Sequence, residues 1–183
     1  ASEVAVQRMS RVQDRLEFLA ANWETRQVRN VFAESDPYWI NVHSLTRIHA
    51  ATQRILWASE RTGYRHLYWR SFDGKEVQAI TKGDWEVSDL AGVDWAQKRI
   101  YYTATEASPL ERHLYVVNFD GSGKKQLTKD AGTHTVSMSP TAEFYTVTHS
   151  SVQDPAEQTL RKASGEIVAT LRARDRKVQE EFE

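Results

Sequence analysis

Cysteine is absent from this 183-residue chain, which excludes disulfides, thiolate metal sites and cysteine nucleophiles together. Proline and glycine are sparse, at four and eight residues, too few for a collagen-like or low-complexity chain. No apolar run approaches the roughly 20 residues that cross a bilayer as a helix, so no membrane segment is expected. Neither sign of charge predominates: 24 basic and 25 acidic side chains leave a formal net charge of -1. That balance removes the broad electrostatic case for a nucleic-acid partner. The Gly-x-Ser-x-Gly nucleophile elbow is missing. So are a phosphate loop, a dinucleotide fingerprint and a His-Glu-x-x-His helix. No catalytic residue, metal or cofactor is assigned to the chain.

What the chain does have is aromatic side chains, six Trp, seven Tyr and six Phe, within a hydrophobic fraction of 40%. Aromatic residues favour pleated, half-buried surfaces, and a chain of this length can bury about 70% of its unfolded surface. The sequence also repeats itself. Arg65-His66-Leu67-Tyr68-Trp69 returns as Arg112-His113-Leu114-Tyr115-Val116, and Ile80-Thr81-Lys82 as Leu127-Thr128-Lys129 at the same offset. Arg54-Ile55-Leu56-Trp57 corresponds to Arg99-Ile100-Tyr101-Tyr102. Fainter copies flank this pair, around Leu16–Leu19, Val31–Glu34 and Trp39–Val42 on one side. On the other they are Phe144–Val147, Thr159–Arg161 and Ile167–Ala169.

Each repeated piece has the length of a strand, and turn residues bound it. In one unit the strands are expected near 99–105, 112–119, 124–128 and 133–138. Phe72-Asp73-Gly74-Lys75 and Phe119-Asp120-Gly121 occupy equivalent positions and read as hairpin turns, because glycine supplies a positive φ at little cost. Four strands per repeat of about 46 residues is the pattern of a β-propeller blade. The fold class is therefore all-β: a partial β-propeller of about four blades, each a four-stranded antiparallel sheet, over residues 1–171. Residues 172–183 form a strongly charged tail that could be helical.

His66 and His113 stand at equivalent repeat positions, which points to a structural task shared by two blades. Glu60 and Glu106 recur after the first strand of two units and read as turn or cap residues. His149-Ser150-Ser151 lies at a strand end, where neighbours point to opposite faces, so it is no nucleophile–base pair. Trp57, Trp69, Trp85 and Trp95 are expected to fill the wedge between blades. Trp39 differs: Asp36-Pro37-Tyr38-Trp39-Ile40-Asn41-Val42-His43 mixes aromatic and polar groups at a loop-to-strand boundary, a composition suited to meeting a ligand or another domain.

Trp39–His43, the run from Leu56 to Tyr68, Thr81–Val87 and Tyr102–Tyr115 together resemble the propeller region of dipeptidyl peptidase IV-like serine peptidases. The resemblance covers most of residues 5–171. It implies an eight-bladed propeller joined to a C-terminal α/β-hydrolase domain that carries Ser, Asp and His, and removal of dipeptides from free polypeptide N-termini. This chain then corresponds to the second half of the propeller, walling the active-site chamber and gating peptide entry, without the hydrolase domain and inactive alone. The family's amine-binding glutamate pair has no matching motif here. Trp39, Asn41 and His43 are the counterparts of a loop that reaches the substrate cleft. The implied partners are the hydrolase domain and peptides with a free N-terminus, and an exported parent is expected. Exposed blade edges predict a homodimer or larger species. The alternative is a free-standing propeller module that binds a protein partner.

Overall fold

The computed structural model describes residues 2–175, which form fifteen strands and one short 3-10 turn. The strands are β1 (Glu3–Met9), β2 (Arg15–Asn22), β3 (Val28–Ser35), β4 (Arg47–His49), β5 (Arg54–Ser59), β6 (His66–Ser71), β7 (Val77–Ala79) and β8 (Val87–Asp94). They continue with β9 (Arg99–Ala104), β10 (His113–Asn118), β11 (Lys125–Gln126), β12 (Thr133–Met138), β13 (Phe144–Ser150), β14 (Glu157–Lys162) and β15 (Ile167–Arg172). They pair as antiparallel meanders β1-β2-β3, β4-β5-β6-β7, β8-β9-β10-β11 and β12-β13-β14-β15. The all-β, blade-by-blade reading of the sequence is borne out. The first sheet has three strands among the described residues, because residues 36–46 adopt no regular structure.

Two compact units divide the chain. The first comprises the residues up to Gly63 with Leu67–Ala79; the second takes Tyr64–His66 and the chain from Ile80 onwards. In the first unit, Phe18 from β2 stacks on Phe32 from β3 at 5.1 Å, and Trp57 from β5 meets both rings edge-on at 5.8 and 5.2 Å. Such edge-on contacts suit the ring quadrupole, with the positive edge against the negative face. From Ile55 to Ser59 every residue of β5 is buried. That explains why this segment reads as a continuous apolar run, since a strand covered on both faces has no polar side.

In the second unit Tyr101, Leu114, Tyr145 and Val147 form the core, with Met138 packed against them. Gly92 on β8 faces Met138 so closely that a Cβ there would meet its sulfur. A backbone link joins the two sheets: Arg112 N–H donates to Gly132 O at 3.1 Å and His134 N–H to Arg112 O at 2.9 Å.

The expected strands near 99–105, 112–119, 124–128 and 133–138 correspond to β9, β10, β11 and β12, but they are not one sheet. β12 pairs along its length with β13, and β8 supplies the first strand of the sheet that contains β9. A repeat period carries no phase, so the sequence could not say where a blade begins. Hydrogen bonding sets that start one strand earlier. The turn readings hold: Gly74 and Gly121 have φ of 75° and 85°. Asp73 accepts from Lys75 N–H and Asp120 from Ser122 N–H, which is the Asx-turn chemistry that favours Asp there. Of the charged tail, Arg172 ends β15 and residues 173–175 have no regular structure. Residues 176–183, on which the helical expectation rested, lie outside the described residues.

Candidate functional site

Trp39, Asn41 and His43 share the irregular segment between β3 and β4, in the first unit. Local bonds hold it in place. Ile40 N–H donates to Gln13 O at 2.7 Å, and Asp36 Oδ1 accepts from Tyr38 N–H at 2.8 Å. Asn41 Nδ2 donates to Glu60 Oε2 at 2.8 Å, and His43 Nε2 lies 2.8 Å from Ala58 O. With its Nε2 proton given to that carbonyl, the His43 ring leans on Trp57 at 5.4 Å. Trp39 itself is 61% exposed and Tyr38 79%. The segment thus presents aromatic rings to solvent from an anchored backbone.

Below it lies a cleft of about 260 Å³, lined by Trp39, Asn41 and His43 together with Glu34, Ser59, Glu60, Arg61 and Arg70. Its floor is a charged cluster. Glu34, at the end of β3, accepts from Arg70 Nη2 at 2.9 Å and from Ser59 Oγ at 3.0 Å, and also pairs with Arg61. Arg70 lies 4.1 Å over the Phe32 ring, and Arg61 4.8 Å over Tyr68. Burial lowers the affinity of the Arg70 guanidinium for its proton, as does Arg61 nearby, while Glu34 opposes both. The cleft offers hydrogen-bond donors, acceptors and an aromatic wall.

Glu34 and Arg70 were not singled out in the sequence. One signal could have found Arg70: at the 47-residue offset its equivalent is Val117, which is buried. An arginine at a core position of a repeat demands a buried partner. His66 bonds Thr81 Oγ1 and Gly83 O, while His113 meets Thr128 O. The repeated His–Thr pair therefore serves the same purpose twice. Glu60 and Glu106 do not share partners: one holds Asn41, the other Lys124. His149 donates to Ala131 O, and Ser151 Oγ accepts from the Gln153 and Asp154 amides, so no nucleophile–base contact forms between them. Trp57, Trp69 and Trp85 are buried, and Trp95 packs edge-on against Phe119. Among the described residues no group of three His, Asp or Glu side chains could hold a metal. No described helix is long and apolar enough to cross a membrane.

Consecutive antiparallel meanders, with an aromatic core inside each unit, define the chain as a section of β-propeller. The crystal structure of Porphyromonas gingivalis dipeptidyl peptidase 4 has the same fold, with a TM-score of 0.88 and 23% identity over 99% of this chain and 26% of its own. The model of the Dipeptidyl peptidase IV (DPP IV) N-terminal region matches residues 1–156, and the chain belongs to that family. Among its relatives, human Dipeptidyl peptidase 8 is 31% identical over 166 residues, covering 73% of this chain and 18% of that protein. Dipeptidyl peptidase 4 of Trichophyton equinum is 30% identical over 162 residues, covering 85% and 21%. The chain spans about a fifth of the length of these curated relatives. The resemblance read from the sequence is borne out.

Proposed function

We propose that this chain is the non-catalytic propeller portion of a dipeptidyl peptidase IV-like serine exopeptidase, walling the chamber in which an α/β-hydrolase domain cleaves peptides. In this reading residues 1–171 form the propeller portion and residues 172–183 the connection to that domain. Trp39, Asn41 and His43 orient the incoming peptide, and the narrow chamber admits only slender, unfolded N-termini. The observation that carries the reading is the anchored segment 38–43, which holds Trp39 exposed beside a polar cleft. An exposed tryptophan on a pinned backbone costs little entropy on binding, because its position is already set. None of these side chains is placed for proton transfer; their part is binding and orientation.

The test is hydrolysis of a chromogenic Gly-Pro substrate by the purified chain and by the full gene product that contains it. Activity only in the full product, with Trp39→Ala lowering kcat/KM by about three- to tenfold through KM, is the expected outcome. Hydrolysis by the isolated chain would place the chemistry in these residues and overturn the reading.

A further inference from the structure

Half of the six histidines stand in one file inside the second unit. His113 on β10, His134 on β12 and His149 on β13 come from two sheets, and all three are buried. Ring centroids are 5.0 Å apart between His113 and His134, and 4.6 Å between His134 and His149. The last two are cross-strand partners in the β12–β13 ladder. His113 reaches them from the neighbouring sheet.

Hydrogen bonds assign the protons. His149 Nε2–H donates to Ala131 O at 2.9 Å, and its Nδ1 accepts from Arg174 Nη2 at 3.4 Å. His134 Nδ1–H donates to Arg112 O at 2.9 Å, which leaves Nε2 to take any second proton. His113 meets Thr128 O at 3.1 Å and Glu111 Oε2 at 2.8 Å. The His113 contact holds the Glu111 carboxyl below its usual range. The Arg112 carbonyl that receives the His134 ring also receives the His134 amide. Ring and backbone therefore close the same seam.

We propose that the His113–His134–His149 file is an acid-sensitive clasp on the seam between the β8–β11 sheet and the β12–β15 sheet. Near neutral pH the uncharged His134 ring stacks between its neighbours and the seam is shut. A proton on Nε2 puts a buried cation, away from water, into the stack between two other imidazoles and opposes its closure. The charges around the file are Glu111 and Arg112 ahead of β10, Asp130 ahead of β12, and Arg174 after β15. Arg174 is itself paired with Asp154 and Glu157. Asp130 favours the His134 cation, but burial outweighs it and the neighbouring histidines add to burial, holding this imidazole at about 4. An opened seam frees the ring to bind a proton near its ordinary pKa of about 6.5. Opening therefore becomes easier as pH falls from about 6.5 to about 4.

Amide hydrogen exchange on the whole chain tests this. Protection of the Arg112 and His134 amides, corrected for intrinsic rates, is expected to fall by up to about tenfold per pH unit across that window, one proton's worth. Amides of β5 should not follow. His134→Phe keeps a stacking ring without the titrating nitrogen and should abolish the slope at the seam. Should that variant fail to fold, His134→Gln, which also lacks a group titrating in this window, should abolish the slope in its place. Seam amides that lose protection no faster than those of β5, or a folded His134→Phe variant that keeps the full slope, would overturn the proposal.

Discussion

Arg70 Nη2 donates to Glu34 Oε1 at 2.9 Å, joining β6 to β3 through side chains only 6% and 13% exposed. The pair sits on aromatic surface, with Phe32 under the guanidinium. Removing Glu34 strands the Arg70 charge away from water, whereas removing Arg70 leaves Glu34 paired with Arg61. Glu34→Gln is therefore expected to cost about 3–5 kcal/mol, and Arg70→Met less. The double variant should cost less than the sum, because Arg70 is no longer left buried without a partner. A double-mutant cycle by urea unfolding checks this; additive losses would show that the two residues act independently.

Two glycines with positive φ separate backbone strain from steric overlap. Gly63, with φ of 93°, has open space where a Cβ would lie, whereas a Cβ on Gly74 would overlap the Val31 carbonyl. Gly63→Ala is expected to cost about 1–2 kcal/mol, the left-handed penalty alone. Gly74→Ala should cost clearly more, since β3 must also move. Equal losses in denaturant unfolding would refute the steric part.

Trp57 and Trp39 lie in the same unit with opposite duties. Trp57 is 1% exposed, among Phe18 and Phe32, and Trp57→Ala should cost about 3–5 kcal/mol. Trp39→Ala should stay within about 0.5 kcal/mol of wild type, as an exposed substitution does. Thermal unfolding of the two variants side by side separates them. A large loss at Trp39 would reassign it from presentation to packing.

Acid should weaken the protein in two stages. Burial lowers the proton affinity of both His66 and His134. The unfolded chain therefore binds more protons than the folded one below about pH 6.5, and stability falls from there. Glu17, Asp73 and Asp120 are held low by Arg8, Ser71 and Ser122 respectively. Their contributions are present above the ordinary carboxylate range and are lost only as pH drops below it. Urea midpoints at pH 7.5, 5.5, 4.0 and 3.0 should show decline beginning in the first interval. A midpoint flat down to pH 4.0 would contradict the histidine stage.

The edge strands carry exposed apolar side chains, Val4 and Val6 on β1 and Ile167, Val168 and Leu171 on β15. Unpaired edges of this kind promote association. Sedimentation at micromolar concentration is expected to show a dimer or larger species, and charged substitutions at Val6 and Val168 should shift it toward monomer. A monomer across that concentration range would refute this.

Much of the architecture was legible because its causes are local. Asp73-Gly74 and Asp120-Gly121 make turns through their own backbone preferences, and the runs at Ile55–Ala58 and Ile100–Tyr102 are apolar because both faces of β5 and β9 are covered. The His66–Thr81 pair and its His113 counterpart announced themselves by repetition. Trp39–Val42 reads in the sequence as a faint strand copy, whereas the structure leaves it irregular; only the mixed aromatic and polar composition of Asp36–His43 was legible. Its anchoring by Glu60 and Ala58 was not, because those partners lie 19 and 15 residues away.

The sequence by itself determined the strands, their turns, the four-sheet count and the family, since each follows from a short-range preference or a contiguous motif. Only the tertiary structure decided where each blade begins, which tryptophans face solvent, and that Glu34 meets Arg70 or His113 meets His134. A repeat has a period but no phase, and hydrogen bonds between strands choose it. The charged cluster and the histidine file join residues tens of positions apart, whose meeting depends on register and on how successive sheets pack. No local pattern encodes that.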